Sequence, residues 1–506
     1  MTSELLSVVE SSRIAASRSI AVKKKKLAEQ YFTPQRVALL MAEMFSVQFG
    51  RLISCLDPCA GVGNLSAAVI ALGHTRHERM KITAIEKDAY LFNAAKENLR
   101  SCADVDVIKG DFLQRYLRLG KFERIVLNPP YAKLSPESAL GKKVREHLGY
   151  RENNLYSAFI ACCLKLLTDD GELVAIIPRS FCNGAMFSEF RKFLLANFWI
   201  HALYLFESRR IFHDSGVVQE SVIIKVGARQ ATRVLVSHEG EDGKVTEILY
   251  PFSTIVLSGD SAKVIHIPLP FGDNLLITSI ANYTGRLADI GCKASTGKVV
   301  DFRSVRDLRQ RKSVNSVALI YQDCVSESGL ELVPSNKTGR RRYIKITEST
   351  RRKLLPKGNY VLIRRISFKE ASRRIVACLL LEEDFDGDFI GVENHVNFVW
   401  RDGVGMSKEL CVAICAYLSC KSIDQYVRRF SGHTQINCGD LNSLPFPPFQ
   451  KLEEFGVLYG DRNLEDAVRA AENFFFSMPI GNHFDSGESV PSLRNAPHGD
   501  LPGNRV

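Results

Sequence analysis

Residues 128–131 read Asn128-Pro129-Pro130-Tyr131 and follow the apolar run Ile125-Val126-Leu127. The tetrapeptide carries the groups needed to hold an exocyclic amino group. The Asn128 side-chain oxygen and the Pro129 carbonyl are two amide acceptors, one for each hydrogen of an NH2. The Tyr131 ring can stack on the base that bears it. Such an amino nitrogen is a poor nucleophile because its lone pair is conjugated with the ring. Accepting both hydrogens favours a more tetrahedral nitrogen and stabilises the positive charge that develops there. All four residues, Pro130 included, are candidate catalytic positions.

A second strand–turn unit lies upstream, Leu56-Asp57-Pro58-Cys59-Ala60-Gly61-Val62-Gly63-Asn64-Leu65. Gly61 and Gly63 let the backbone approach a ligand closely. The next predicted strand ends at Glu86, whose carboxylate can accept from both hydroxyls of a ribose. After the third strand come Gly110-Asp111-Phe112, where Asp111 can take an amino hydrogen of an adenine ring while Phe112 packs beside it. Ser66 stands where a dinucleotide fingerprint would place its third glycine, which argues against that ligand. Together, Asp57, Gly61, Gly63, Glu86 and Asp111 suit S-adenosylmethionine. Taken singly, Glu86 could be an exposed turn carboxylate and Asp111 a helix N-cap.

These turns need strands to carry them. Ile53–Leu56, Ile82–Ile85, Val105–Ile108, Ile125–Leu127, Leu173–Ile177 and Val222–Val226 are predicted strands, and Asp88–Arg100 and Leu155–Leu167 predicted helices. A further helix is expected from Thr33 as N-cap and Pro34 as its first residue, with Val37, Leu40, Met41 and Met44 at helical spacing. Strand–helix alternation predicts an α/β fold with a doubly wound, mostly parallel sheet, which binds ligands at the carboxyl ends of its strands. The expected organisation is a polar leader over 1–26, a catalytic domain over 27–230 and a connecting β-rich segment over 231–290. A basic, mixed α+β domain over 291–477 follows, its helical stretch running Lys408–Phe430, and then a disordered tail over 478–506.

The chain has 506 residues and a formal charge of +11. Between Lys293 and Arg374 there are 21 Lys/Arg against 7 Asp/Glu, a net of +14 that leaves about −3 for the remainder. A basic excess confined to one segment is expected of a nucleic-acid-binding surface rather than of a merely solvated face. Arg340, Arg341, Arg342, Arg364 and Arg365 are its candidate DNA contacts. The 13 cysteines show no paired C-x2-C spacing, so no metal is expected and reduced thiols account for them. With no apolar run of membrane-spanning length and no signal-peptide pattern, a cytoplasmic protein is expected.

The order and content of these motifs resemble the gamma-class amino-methyltransferases, the N6-adenine modification methylases of type II restriction–modification systems, with details similar to the PstI-type enzymes. Tyr31-Phe32-Thr33-Pro34, Asn154-Leu155-Tyr156, Ile177-Pro178-Arg179-Ser180-Phe181, Val218-Gln219-Glu220, Gly432-His433-Thr434-Gln435 and Leu444-Pro445-Phe446-Pro447 carry the likeness beyond the two turns, over roughly residues 25–450. The resemblance implies a class I methyltransferase fold followed by a target-recognition domain. It implies S-adenosylmethionine as methyl donor, a flipped adenine in double-stranded DNA as substrate, and a cognate restriction endonuclease acting separately. It also implies that Thr33 contacts the cofactor's methionine end and Asp57 its amino group or the turn that holds it. Phe212 would be a second aromatic against the base. N4-cytosine methylation uses the same acceptor geometry, although its tetrapeptide more often begins with Ser. RNA or protein-glutamine methylation, and a DNA-binding subunit of a restriction complex, are the remaining alternatives.

Overall fold

In the computed structural model, the described residues are 2–19, 32–48, 50–206, 220–257, 260, 262–268, 280, 283–332, 340–368, 371–402, 405–430, 434–461 and 463–476. They form two compact units. One holds the residues up to Pro178 together with Glu189–Ile255; the other holds Arg179–Ser188 and the described residues from Val256 onward.

The first unit is built on β1 (Leu52–Asp57), β2 (Arg79–Glu86), β3 (Val105–Lys109), β4 (Phe122–Leu127), β5 (Leu167–Pro178), β6 (Trp199–Phe206), β7 (Ser221–Gly227), β8 (Arg233–Glu239) and β9 (Val245–Pro251). Their order in the sheet is β3-β2-β1-β4-β5-β7-β6-β8-β9. The strands from β3 to β5 are parallel, and β7 runs antiparallel between β5 and β6. The α/β class and the mostly parallel sheet are as expected from sequence. Because β1 pairs with both β2 and β4, the sheet grows in opposite directions from that point. A topological switch of this kind opens a crevice at the strands' carboxyl ends. Leu56 lies opposite Ile125, so the turns after β1 and β4 emerge side by side.

Several boundaries differ from expectation. The leader is a helix, Thr2–Ser19, whose Leu5, Val9 and Ala16 are buried in one cluster with Val62, Leu91 and Leu99. Leu6, Val8, Ile14 and Ala15 put apolar residues off that face as well, which blurs the helical period. Lys23–Lys26 lie outside the described residues. The segment after 231 is no connector at its start, since β8 and β9 extend the main sheet. Arg179–Ser188, placed by sequence in the catalytic domain, belongs to the second unit, where the Cys182 carbonyl accepts from the Ile265 amide at 2.9 Å. β6 has no counterpart among the predicted strands. The 478–506 tail lies outside the described residues.

The second unit carries an antiparallel four-stranded sheet (Cys292–Thr296, Val396–Arg401, Tyr360–Arg364, Ala377–Leu380) and a mixed five-stranded sheet that includes Ser316–Ile320 and Phe389–Val392. The predicted helix over 408–430 is two helices, Lys408–Leu418 and Lys421–Phe430, parted at Ser419-Cys420. With Phe449–Tyr459 and Leu464–Phe476 they enclose an apolar core around Tyr417, Phe446, Phe455 and Phe475. Among the described residues no helix is long and apolar enough to cross a membrane.

Candidate active site

A cleft opens in the first unit, lined by Phe32, Pro58, Cys59, Gly61, Glu86, Lys87, Leu91, Gly110–Leu113 and Asn128–Pro130, with Leu140, Leu155 and Phe159 beyond. The two sequence motifs therefore share one cavity. The Cys59 thiol donates to the Asn128 carbonyl at 3.2 Å and ties the turns together.

The glycine turn needs its glycines. Gly61 and Gly63 have φ of 60° and 97°, and a Cβ on Gly63 would lie 3.0 Å from Leu99. Both positions are strained for any other residue. Asp57 is fully buried behind the turn, where its Oδ2 accepts from the Ser66 hydroxyl at 2.9 Å. Burial pushes its carboxyl up to about 7 against the pull of Ser66 and the Cys59 amide. It does not line the cleft, which favours the turn-holding half of its expected role over contact with a ligand's amino group.

Glu86 is buried and faces the cleft, so it is no exposed turn carboxylate. Its Oε2 accepts from the Gly61 amide at 2.8 Å and its Oε1 from the Asp88 amide at 2.7 Å. Burial raises its pKa, opposed by the amides of Asp88, Gly61 and Lys87. Each oxygen retains a second lone pair, so the carboxylate can brace the turn and still accept from a ligand's hydroxyls. Asp111 lines the cleft and is also an N-cap: Oδ1 accepts from the Leu113 amide at 3.1 Å, while Oδ2 pairs with Lys87 Nζ at 2.8 Å. Phe112 is buried beside it, 5.2 Å from the Phe159 ring. An apolar slot beside two carboxylates fits an adenosine with its ribose, which is the larger part of S-adenosylmethionine.

Asn128 is half-buried at the end of β4. Its Nδ2 donates to the Thr33 hydroxyl at 3.0 Å, and its Oδ1 accepts from the Tyr131 hydroxyl at 3.1 Å. Thr33 is thus not the N-cap; that position is Pro34, and the helix runs Gln35–Glu43. Its hydroxyl is turned to Asn128, while the neighbouring Phe32 lines the cleft. The Tyr131 ring is buried edge-on to Tyr156, 6.0 Å away, and its hydroxyl also reaches the Ile176 carbonyl at 3.3 Å. Phe212 lies outside the described residues.

Sequence reasoning passed over Phe32, Lys87, Leu91 and Phe159. Phe32 and Lys87 adjoin residues that were singled out. Leu91 and Phe159 carry only an apolar side chain on a helix and give no separate signal. Glu86→Ala is expected to weaken S-adenosylmethionine binding by about 1.5–3 kcal/mol, the worth of hydrogen bonds to a charged acceptor. DNA affinity without cofactor should stay level, and titration calorimetry showing unchanged cofactor binding would reduce Glu86 to a turn brace.

In the second unit the expected DNA contacts divide. Arg342 is only 3% exposed and pairs with Asp323 at 2.9 Å, so it cannot face a phosphate as expected. Arg340 shares Asp323 at 3.1 Å and lies 4.0 Å from the Tyr321 ring centroid. Arg364 and Arg365 are half-buried, with donors on the carbonyls of Val325 and Asn394. Arg341 is exposed and reaches the Val305 carbonyl at 2.8 Å.

The family model described as Eco57I restriction-modification methylase matches residues 62–212. The chain is 34% identical to the type II methyltransferase M.BsuBI of Bacillus subtilis, covering 92% of this chain and 98% of that one. It is 32% identical to the type II methyltransferase M.PstI of Providencia stuartii, covering 88% and 92% respectively. Among solved structures, the type IIL restriction-modification enzyme MmeI in complex with DNA aligns with a TM-score of 0.49 at 11% identity, over 95% of this chain and 76% of that one.

Proposed function

The chain belongs to the family of the type II methyltransferases M.BsuBI and M.PstI, and from that footing we propose that its target is N6 of an adenine, held by Asn128 and Pro129. It is a site-specific DNA methyltransferase using S-adenosylmethionine. The observation that carries the methyltransferase reading is one cleft lined by both the glycine turn after β1 and Asn128–Pro130 after β4; Asn rather than Ser at position 128 favours adenine over cytosine.

S-adenosylmethionine, when bound, supplies a methyl group already activated by its sulfonium charge. The protein's task is then placement more than acid–base chemistry. Asn128 Oδ1 and the Pro129 carbonyl accept the two amino hydrogens and stabilise charge appearing on nitrogen; no base need act before attack, because the proton can leave afterwards. Tyr131 stacks on the extruded base, offsetting part of the few kcal/mol that extrusion costs. Glu86, Asp111 and Phe112 hold the adenosine end of the donor, and Thr33 lies beside its methionine end. The second unit recognises the target sequence. The product protects host DNA from a cognate endonuclease in the cytoplasm.

Methyl transfer from labelled donor to DNA, followed by nucleoside analysis, is expected to yield N6-methyladenine alone. N4-methylcytosine as the product, or label on RNA or protein in place of DNA, would overturn the assignment.

A further inference from the structure

The arginines of the second unit sort into those consumed by the fold and those left facing solvent. Arg340 and Arg342 are drawn to Asp323, Arg373 to Glu327 and Arg428 to Asp424. By contrast, among the described residues the side chains of Arg303, Arg306 and Arg341 meet no carboxylate, and all three are exposed. Beside them stand two exposed apolar side chains of the unit, Phe302 at 70% and Val305 at 48%, with Arg303 and Arg306 as their neighbours in the chain. The Arg303 guanidinium lies 5.5 Å from the Phe302 ring centroid, and the Arg341 Nη1 donates to the Val305 carbonyl.

This tip is fixed. Val299 is buried and exchanges backbone hydrogen bonds with Val392 and Asn394, while Leu308 is buried in the core and pairs with Ile344. Between them the Asp301–Arg303 turn closes through the Ser304 amide on the Asp301 carbonyl, and Ser304 is buried. The carboxylate next to Phe302 in the chain, Asp301, accepts from the Phe302 amide through its Oδ1. A turn held at both ends that leaves a phenylalanine exposed, with the Arg303 guanidinium beside its ring and Arg306 and Arg341 exposed close by, matches a polyanion with stackable rings inside it.

Resting on the reading of this chain as a DNA methyltransferase, we infer that Phe302 and Val305 are an apolar tip that enters the DNA duplex at a base step while Arg303, Arg306 and Arg341 hold the flanking phosphates. Insertion of such side chains between bases partly unstacks them, and the phosphate contacts offset that cost. The expected arginine clusters therefore contribute Arg341 alone to this contact.

The test uses the full chain and two duplexes of equal length and composition, one carrying the methylation site mapped with the wild-type enzyme, the other scrambled. Phe302→Ala should weaken binding to the mapped duplex about 5- to 100-fold, the range of one base–aromatic stack, with an unchanged salt slope. Phe302→Trp should restore it, and cofactor affinity should not move. Arg303→Gln, Arg306→Gln and Arg341→Gln together should weaken both duplexes and lower the log–log salt slope by about 0.9 per lost contact, up to ~2.7. Equal DNA affinity in Phe302→Ala with native circular dichroism would overturn the inference. So would a Phe302-dependent dimer in sedimentation with DNA affinity intact, which would make the tip a contact between copies. A wild-type chain that binds and methylates no DNA would instead remove the function on which the inference rests.

Discussion

Asn128→Ala is expected to lower turnover on the order of 10²–10³-fold, the loss typical of one preorganised hydrogen-bonding group aimed at developing charge. S-adenosylmethionine affinity should fall little, because the role proposed for the amide is toward the base. Tyr131 separates two parts of this picture. Its hydroxyl lies on Asn128 Oδ1, the acceptor proposed for the amino group, and its ring is 5% exposed. An incoming base would share Oδ1 with the hydroxyl through its second lone pair or displace it, and stacking requires the buried ring to turn. Tyr131→Phe removes a competitor for the acceptor and should keep most activity, whereas Tyr131→Ala loses the stacking surface and should not. Single-turnover rates decide: a Phe variant as slow as the Ala variant would show that the hydroxyl, not the ring, does the work, and near-normal turnover in Asn128→Ala would sink the catalytic assignment.

The parallel half of the sheet was legible because its strands are short apolar runs closed by turn residues, and a strand that ends in Asp-Pro or Asn-Pro-Pro is punctuated in the chain itself. β6 was not legible: from Phe193 to Phe206 only Asn197 and His201 interrupt the apolar and aromatic residues, so a single asparagine is all that marks where the helix Ser188–Asn197 stops and the strand begins. Site residues followed the same division. Glycines at positive φ and carboxylates at strand ends have a local signature, and Glu86 and Asp111 do line the cleft. What side chains do once paired across long separations has none. The Thr33–Asn128 hydrogen bond spans 95 positions. The sequestering of Arg342 by Asp323 likewise turns a residue counted as DNA-facing charge into part of the fold.

Arg124 gives the largest stability effect expected in the chain. It begins the run that ends in Asn128, and it is fully buried. Its Nη1 donates to Glu78 Oε2 at 2.8 Å, its Nη2 to Glu78 Oε1 at 2.7 Å and to the Ser46 carbonyl at 2.6 Å, and its guanidinium lies 5.4 Å from the Phe45 ring centroid. The pair pins the starts of β2 and β4 to the segment before β1. Arg124→Met keeps the volume but strands the Glu78 carboxylate, and breaking one side of a buried pair costs about 3–5 kcal/mol. Glu78→Leu with Arg124→Met should recover most of that, because two apolar side chains need no desolvation of charge. The pH dependence supplies the sign. Burial alone would raise the Glu78 pKa, but the hydrogen bonds and charge of Arg124 and the Gln48 amide bring it below its ordinary value. In the wild type its contribution is therefore present above the ordinary carboxylate range and is lost only as pH falls through the lowered value. Without Arg124 burial dominates and raises the pKa, so the variant's deficit should be widest at neutral pH and narrow on acidification, as Glu78 becomes neutral. Urea unfolding of wild type, single and double variants at neutral and mildly acidic pH reads this directly; a deficit independent of pH, or a double variant no better than the single, would mean that packing and not the buried charge sets the cost.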